Sequence, residues 1–155
     1  MTSSDPDCKR MELWQAMLQA QARVCAALTR HLQAECDLPL KWYHILVYLD
    51  HQSCGSLRLQ DLAVAIGVSQ SGLTRLLDRM TEAGLVQREP CQADRRGMYA
   101  VITPAGRTAV EQARPLYQRC VEEHFMQHFE LSEIEALRKS LTKVLTTPEA
   151  LEPGD

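Results

Sequence analysis

Two short amphipathic patterns that meet at a tight turn limit the fold of this chain more than any other feature. They lie in residues 57–84, on either side of Gly67, and the second repeats apolar residues at i, i+3, i+4 and i+7, the spacing of one helix face. Ser69 stands where an N-cap hydroxyl accepts a free backbone N–H, and Gly84 ends the second pattern in the usual C-terminal role. Two short helices joined by a glycine turn predict a helix-turn-helix.

Polar side chains occupy the outer face of the second pattern. A helix fits the major groove of B-DNA, where such side chains can pair with base edges or phosphates. Arg75 is the best candidate for reading a base, because a guanidinium can donate hydrogen bonds to two atoms of guanine. Such a contact is worth roughly 1–3 kcal/mol of discrimination against another base. Arg79, one turn further on, is expected to contact a phosphate or to be structural. The predicted recognition residues are Ser69, Gln70, Ser71, Thr74, Arg75 and Arg79.

A pair of apolar segments with a charged loop between them follows the two helices. We expect strands over 85–89 and 98–103, joined by a loop that contains Asp94, Arg95 and Arg96. A ribbon beside a helix in the major groove would reach the neighbouring minor groove, whose negative potential favours arginine. The wing contacts are therefore predicted at Arg95 and Arg96. Asp94 would orient an arginine within the loop or pair with the other arm of a dimer.

The charge of the chain is divided along its length. The net charge is −3, but residues 69–107 hold six arginines and four acidic residues, whereas residues 108–155 hold five basic and nine acidic ones. The second short helix and the ribbon thus carry +2, and the C-terminal third carries −4. A protein of negative net charge can bind DNA if its acidic third faces away from the duplex.

Long helical patterns flank this central segment. Residues 8–36 contain neither Gly nor Pro and repeat apolar residues at a spacing of three to four. Thr103 and Pro104 begin another helix, and the capping box Ser132-x-x-Glu135 opens a last one. The first and last helices are apolar over much of their length, and pairing of two copies about a two-fold axis would bury them.

Residues 62–107, LAVAIGVSQSGLTRLLDRMTEAGLVQREPCQADRRGMYAVITPAGR, resemble the winged-helix core of MarR-type transcriptional regulators. The resemblance is carried by LA-x3-G-V-S, by L-x-R-x4-G-L-V-x-R, by the D-R-R wing and by the T-x-x-G that starts the next helix. It implies a homodimer with interleaved terminal helices and two winged lobes on a palindromic operator. By resemblance, recognition falls on residues 69–79 and the wing contacts fall on residues 94–96.

These observations predict a mainly α fold, a winged helix-turn-helix with long N- and C-terminal dimerisation helices. We expect the dimerisation helices at 1–37 and 104–147, the DNA-binding lobe at 38–103 and a disordered tail at 148–155. The predicted function is sequence-specific transcriptional regulation, with a homodimer that represses from pseudo-palindromic double-stranded DNA. The resemblance implies that a small aromatic ligand or an oxidant releases or modulates it.

The junction between the terminal helices and the DNA-binding lobe is the expected effector site, because regulators of this family commonly respond there to small aromatic or amphipathic acids. Aromatic side chains can line such an apolar pocket. The predicted pocket residues are Trp14, Trp42, Tyr43, His44 and Tyr48. Trp42 has a competing interpretation as a core residue, and His44 has one as a surface histidine or one with satisfied hydrogen bonds.

A thiol-based redox regulator is an alternative to ligand control. The six cysteines are scattered without a C-x-x-C pair, which argues against a zinc ribbon or a thioredoxin-type motif. The redox candidates are Cys8, near the start of the first helix, and Cys25 and Cys36, which can meet only across a dimer.

A metal-responsive regulator is a second alternative. His124 and His128 are placed i, i+4 on one predicted helix and are weak metal candidates, with acidic neighbours that include Glu123. A set of His31, Cys36 and His44 is weaker still, and no cofactor is expected.

An enzyme is not expected, because the chain has no Gly-rich phosphate loop, no G-x-S-x-G and no H-E-x-x-H. No apolar run approaches the roughly 18 residues of a membrane span, and the N-terminus lacks the apolar region of a secretory signal. We therefore expect a cytoplasmic protein without a membrane partner. A winged helix that binds a protein instead of DNA is the remaining rival, since one fold can serve both.

Overall fold

Helices dominate the computed structural model, which describes residues 6–90 and 97–146 of the 155-residue chain. The predicted mainly α fold with a winged helix-turn-helix is confirmed, and the predicted tail at 148–155 lies outside the described residues. In chain order the elements are α1 (Pro6–Cys36), α2 (Leu40–Asp50), β1 (Ser56–Arg58), α3 (Leu59–Ile66), α4 (Gln70–Glu82), β2 (Val86–Pro90), β3 (Met98–Ile102), α5 (Pro104–His124) and α6 (Leu131–Thr146). A 3-10 turn, Met126–His128, connects α5 to α6.

The helix-turn-helix consists of α3 and α4, and its turn has the predicted chemistry. Gly67 takes the left-handed conformation, with φ of 66°, and ends α3. The hydroxyl of Ser69 accepts a hydrogen bond from the backbone N–H of Gly72 at 3.1 Å, which caps α4. Gly84, with φ of 73°, follows the other end of α4. Local backbone chemistry therefore fixes where α3 ends and where α4 begins and ends.

The sheet has one more strand than the sequence indicated. Its order is β1-β3-β2, and both pairings are antiparallel. The ribbon β2–β3 was predicted and sets Val86 opposite Ile102. The short strand β1 was not predicted; it places Leu57 opposite Ala100 on the free edge of β3. Three residues are too few to show an alternating pattern, so only the available edge reveals this strand.

The main core lies where α2 meets α3, α4, α5 and the sheet. Its largest fully buried side chains are Leu32, Ile45, Leu46, Leu49, Leu62, Leu73, Leu77, Met80, Val86 and Val110. Eight of these ten belong to residues 38–103, whereas Leu32 lies before the predicted boundary at residue 37 and Val110 lies after the one at residue 104. The C-terminal end of α1 and the first half of α5 are thus part of the same core as the winged lobe.

Thr103 joins the end of α4 to the start of α5. Its hydroxyl accepts a hydrogen bond from the Gly106 N–H at 3.0 Å and donates one to the Gly84 carbonyl at 2.7 Å. Its own N–H donates to the Leu85 carbonyl at 3.1 Å. The predicted cap at Thr103, followed by Pro104, is therefore confirmed, and it also fixes the entry of the ribbon.

The capping box predicted at Ser132 and Glu135 is wrong by two residues. The last helix begins at Leu131, and the carboxylate of Glu133 accepts a hydrogen bond from the backbone N–H of Glu130 at 2.9 Å. A glutamate three residues after the N-cap makes this return bond, and Glu130 occupies the N-cap position here. The S-x-x-E pattern therefore placed the capping box two residues too late.

The two terminal helices bury little of their apolar surface within one chain. In α1 the buried residues are Ala27, Leu28 and Leu32, all in its C-terminal half, and α6 has no buried residue. Large apolar side chains that remain exposed on these helices are Met11, Leu13, Trp14, Met17, Leu18, Leu131, Leu137, Leu141, Val144 and Leu145. Among the described helices, none has the length and apolar character needed to cross a membrane.

Candidate nucleic-acid interface

The helix α4 presents two chemically distinct faces. Leu73, Leu77 and Met80 are buried, and they hold the helix on the core. All six predicted recognition residues are exposed on the remaining surface: Ser69, Gln70, Ser71, Thr74, Arg75 and Arg79. The structure therefore brings these six side chains together on the outer side of the helix-turn-helix, where a duplex could approach α4 without displacing the core.

Several of these side chains are oriented by local hydrogen bonds. The Ser69 and Ser71 hydroxyls lie 3.2 Å apart, and the Thr74 hydroxyl donates to the Gln70 carbonyl at 3.0 Å. Among the residues that the structure describes, neither Arg75 nor Arg79 takes part in an ion pair. Their guanidinium groups are thus available to an anionic partner, as are the free N–H groups at the start of α4.

Arg88 of β2 holds α4 against the ribbon, a role that the sequence did not reveal. Its Nη2 lies 2.8 Å from Asp78 Oδ1, and it also donates a hydrogen bond to the Thr74 carbonyl at 2.8 Å. The ion pair neutralises Asp78, one of the two exposed acidic residues of α4; the other, Glu82, is the last residue of the helix. In the sequence, this role was indicated only by the position of Arg88 at the end of the G-L-V-x-R motif, which begins at Gly84.

The predicted wing contacts Asp94, Arg95 and Arg96 lie outside the described residues. The described part of the ribbon ends at the pairing of Pro90 with Met98. The wing contacts stay predictions.

The predicted effector residues occupy different environments. Tyr43 is buried and Trp42 packs against the core, whereas Tyr48 is 41% exposed and Trp14 is 51% exposed. His44 is half-buried. Tyr43 and Trp42 therefore act as core side chains in this structure, and the effector pocket stays a prediction.

Tyr117 of α5 is the neighbour of this aromatic group that sequence reasoning missed. Its ring stacks on that of Tyr43, with centroids 4.6 Å apart, and its hydroxyl lies 3.3 Å from Nε2 of His44. Burial lowers the pKa of His44 and raises the pKa of both tyrosines. His44 therefore favours its neutral form at the junction of α2 and α5.

The cysteine and histidine candidates are placed as follows. Cys8 is exposed, while Cys25 and Cys36 are half-buried on α1, and all three are free thiols. His124 and His128 do not share a helix, because α5 ends at His124 and a 3-10 turn follows. The predicted placement of this pair on one helix is therefore wrong, and its metal role stays a prediction. The redox role of the three cysteines stays a prediction.

Comparisons with known proteins agree with this architecture. A model of the MarR family matches residues 37–97. The crystal structure of AbsC, a MarR family transcriptional regulator from Streptomyces coelicolor, is 30% identical and superposes with a TM-score of 0.81, covering 94% of each chain. The chain belongs to the MarR family. The resemblance inferred from its helix-turn-helix and wing motifs is thereby confirmed.

Two other MarR family proteins extend the comparison. Sco3205 from S. coelicolor, whose structure is in complex with DNA, is 25% identical, with a TM-score of 0.81 over 94% of this chain and 89% of that one. The multiple antibiotic resistance protein MarR of Escherichia coli is 31% identical over 85 residues, which is 55% of this chain and 59% of that protein. The match thus spans less than two thirds of this curated relative.

Proposed function

We propose that this MarR family member regulates transcription by inserting α4 into the major groove of operator DNA. The observation that carries the proposal is the exposure of all six predicted recognition side chains on α4, opposite its buried stripe. The structure of the relative Sco3205 in complex with DNA supports the assignment. The ion pair with Arg88 neutralises Asp78, the carboxylate that lies three residues after Arg75 on α4.

The side chains of this face have different proposed contacts, which follow from their chemistry. Arg75 reads a base edge, because its planar guanidinium can donate two hydrogen bonds to guanine. Ser69, Gln70, Ser71 and Thr74 lie at the start of α4, where hydroxyls, an amide and free N–H groups suit phosphate oxygens. Arg79 follows one turn after Arg75 and contacts the backbone.

The wing and the dimer complete the proposal. Arg95 and Arg96 enter the adjoining minor groove, and Asp94 orients an arginine or pairs with the other arm of the dimer. Two copies pair through the helices at 1–37 and 104–147, whose exposed apolar side chains need a cover. The lobes at 38–103 then lie on half-sites about one DNA turn apart, and the dimer represses until a small aromatic effector or an oxidant alters it.

The test is binding to duplex DNA from the region upstream of the protein's own gene. We expect Arg75→Ala to weaken binding by about 5- to 150-fold, the equivalent of one two-point base contact, and to relax base preference. Arg96→Ala should weaken binding with little change in base preference. Arg138→Ala removes an exposed arginine from α6 and should bind as wild type does. Fluorescence anisotropy at moderate salt measures all four proteins.

The choice of this DNA assumes that the protein regulates its own gene, and wild-type protein that prefers it no more than a random duplex would rule out that autoregulation. One result would contradict the proposal itself. Equal losses in the Arg75→Ala and Arg138→Ala variants would show that general positive charge, not α4, governs binding. A protein partner that binds both the wild type and Arg75→Ala equally would favour the protein-interaction alternative.

A further inference from the structure

Three metal-ligating side chains meet where α1 packs against α5. His31 comes from α1, whereas Cys120 and His124 lie one turn apart on α5. One donor atom from each residue lies within 4.8 Å of the others, and the two imidazole rings are 6.3 Å apart between centroids. The cluster thus joins residues that are about ninety positions apart in the sequence, which is why spacing along the chain did not indicate it.

The cluster has a buried side and an open side. Cys120 is 2% exposed and packs with Ala27 and Leu28, so its sulfur lies at the inner end. Both histidines are half-buried, and the His31 side chain retains 42% of its exposure. An ion could therefore enter from solvent past the imidazoles and reach a donor that is fixed by the packing of two helices.

A carboxylate supports one of the imidazoles. Oε1 of Glu35 lies 3.3 Å from Nδ1 of His31, and the other carboxylate oxygen lies 3.4 Å from Nη2 of Arg119. When Nδ1–H donates to Glu35, the lone pair of Nε2 is left for a metal. Metal-binding histidines in proteins almost always have such a hydrogen-bond acceptor on their second nitrogen.

We propose that His31, Cys120 and His124 form a Zn²⁺ site with one thiolate, two imidazoles and an exchangeable fourth ligand. This donor set suits zinc, and an open fourth position is typical of non-structural zinc sites. Tetrahedral Zn–S and Zn–N distances place donors about 3.3–3.6 Å apart, so small side-chain rotations close the cluster. On binding, the Cys120 thiol loses its proton to solvent and a Zn–S bond forms, without any change in oxidation state.

The bound ion would connect α1 to α5 directly. These helices otherwise meet here through the small apolar cluster of Ala27, Leu28 and Cys120 and through the ion pair of Glu35 with Arg119. Burial and the nearby Glu123 raise the pKa of the Cys120 thiol, so the metal-free site keeps a neutral sulfur. The proposal concerns metal binding only and does not rest on the proposed DNA-binding function.

The experiment titrates the reduced, metal-free protein with Co²⁺ and then with Zn²⁺. We expect a thiolate-to-cobalt charge-transfer absorption that Zn²⁺ abolishes by displacement. At a free Zn²⁺ concentration one hundred times the Kd, the melting temperature should rise by about 5–10 °C. His31→Gln and His124→Gln should each lower the Zn²⁺ affinity more than tenfold, and Glu35→Gln should lower it about 10- to 100-fold.

Matched variants separate this site from adventitious binding. His128→Gln removes an exposed histidine four residues after His124 and should keep both the absorption and the melting shift. Cys25→Ser removes a half-buried thiol of α1 and should keep the absorption too. Because His31 is partly exposed, its glutamine variant is expected to fold, and a melting curve recorded without metal checks this. Absence of the charge-transfer absorption in wild type, or equal affinities of wild type, His31→Gln and His124→Gln, would overturn the proposal.

Discussion

Arg88 shows how one side chain can prepare a binding surface without belonging to it. It is partly buried between β2 and α4, where it pairs with Asp78 and satisfies the Thr74 carbonyl. Its Nε is buried without a hydrogen-bond partner among the described residues, so part of its desolvation cost is uncompensated. The arginine therefore serves to orient α4 and to neutralise Asp78 more than to stabilise the fold.

His44 gives a prediction at the same scale. Burial lowers its pKa below the ordinary 6.5, so the unfolded chain binds more protons than the folded chain between the lowered pKa and 6.5. The free energy of unfolding should therefore fall as the pH drops through that window. His44→Gln should show a smaller loss between about pH 7.5 and about pH 5, measured by urea denaturation. An equal loss in both proteins would contradict the assignment of this pH dependence to His44.

Single residues also mark where sequence reasoning stops. The exposed and buried sides of α4 were predictable, because a 3.6-residue period assigns each side chain to a face once the helix is known. The contacts of Tyr117 with Tyr43 and His44, and of His31 with His124, were not predictable. They depend on which helices meet in space, and spacing along the chain holds no information about that.

At the scale of elements, the joint between α4, β2 and α5 determines where the ribbon stands. Thr103 bonds to both helix ends, and Gly106 lies directly against the backbone of the segment that enters β2. A Cβ at Gly106 would collide with the Leu85 carbonyl oxygen and would lie 2.9 Å from Ile102 Cγ1. The T-x-x-G sequence thus provides a cap and a close approach of backbone in one turn.

Gly106→Ala should destabilise the protein by about 3 kcal/mol, because backbone and core atoms would have to move to admit the methyl group. Gly67→Ala is the matched control. Nothing lies within 4 Å of its Cβ position, so it should cost only about 1 kcal/mol for the left-handed backbone. Urea unfolding measures both. Similar losses in the two variants would show that Gly106 is not a packing constraint.

Element boundaries were predictable where a local signal exists. Ser69, Thr103 and the glycines after α3 and α4 marked helix ends correctly, because caps depend on side chains a few residues away. The start of α6 was misplaced because two glutamates, Glu133 and Glu135, were both available for the return bond. The strand β1 depends on the edge of β3 and has no local signal of its own.

At the scale of the whole molecule, α1 and α6 expose apolar faces that no contact within the described part of a single chain covers. Leu145 is 85% exposed and Leu141 is 46% exposed, and α6 buries none of its residues. Apolar positions that repeat along a helix without a cover indicate an interaction surface. The proposed dimer supplies the cover and places the two copies of α4 on the same side of the DNA.

Leu141→Glu combined with Leu145→Glu should therefore convert a dimer into a monomer and lower DNA affinity, because each lobe would then bind one half-site alone. Lys139→Glu changes charge on the same helix without removing apolar area and should remain dimeric. Light scattering after size exclusion gives the mass of each protein. A wild-type monomer, or a double variant that stays dimeric, would contradict pairing through α6.

The most direct test of the central claim is selection of bound sequences from a random duplex library. If α4 reads the major groove from each of two paired lobes, wild-type protein should enrich a pseudo-palindrome with half-sites about 10 base pairs apart. The Arg75→Ala variant should lose the preference at one position in each half-site and keep it at the others. A wild-type protein that enriches no motif, or an Arg75→Ala variant that enriches the identical motif, would contradict the account.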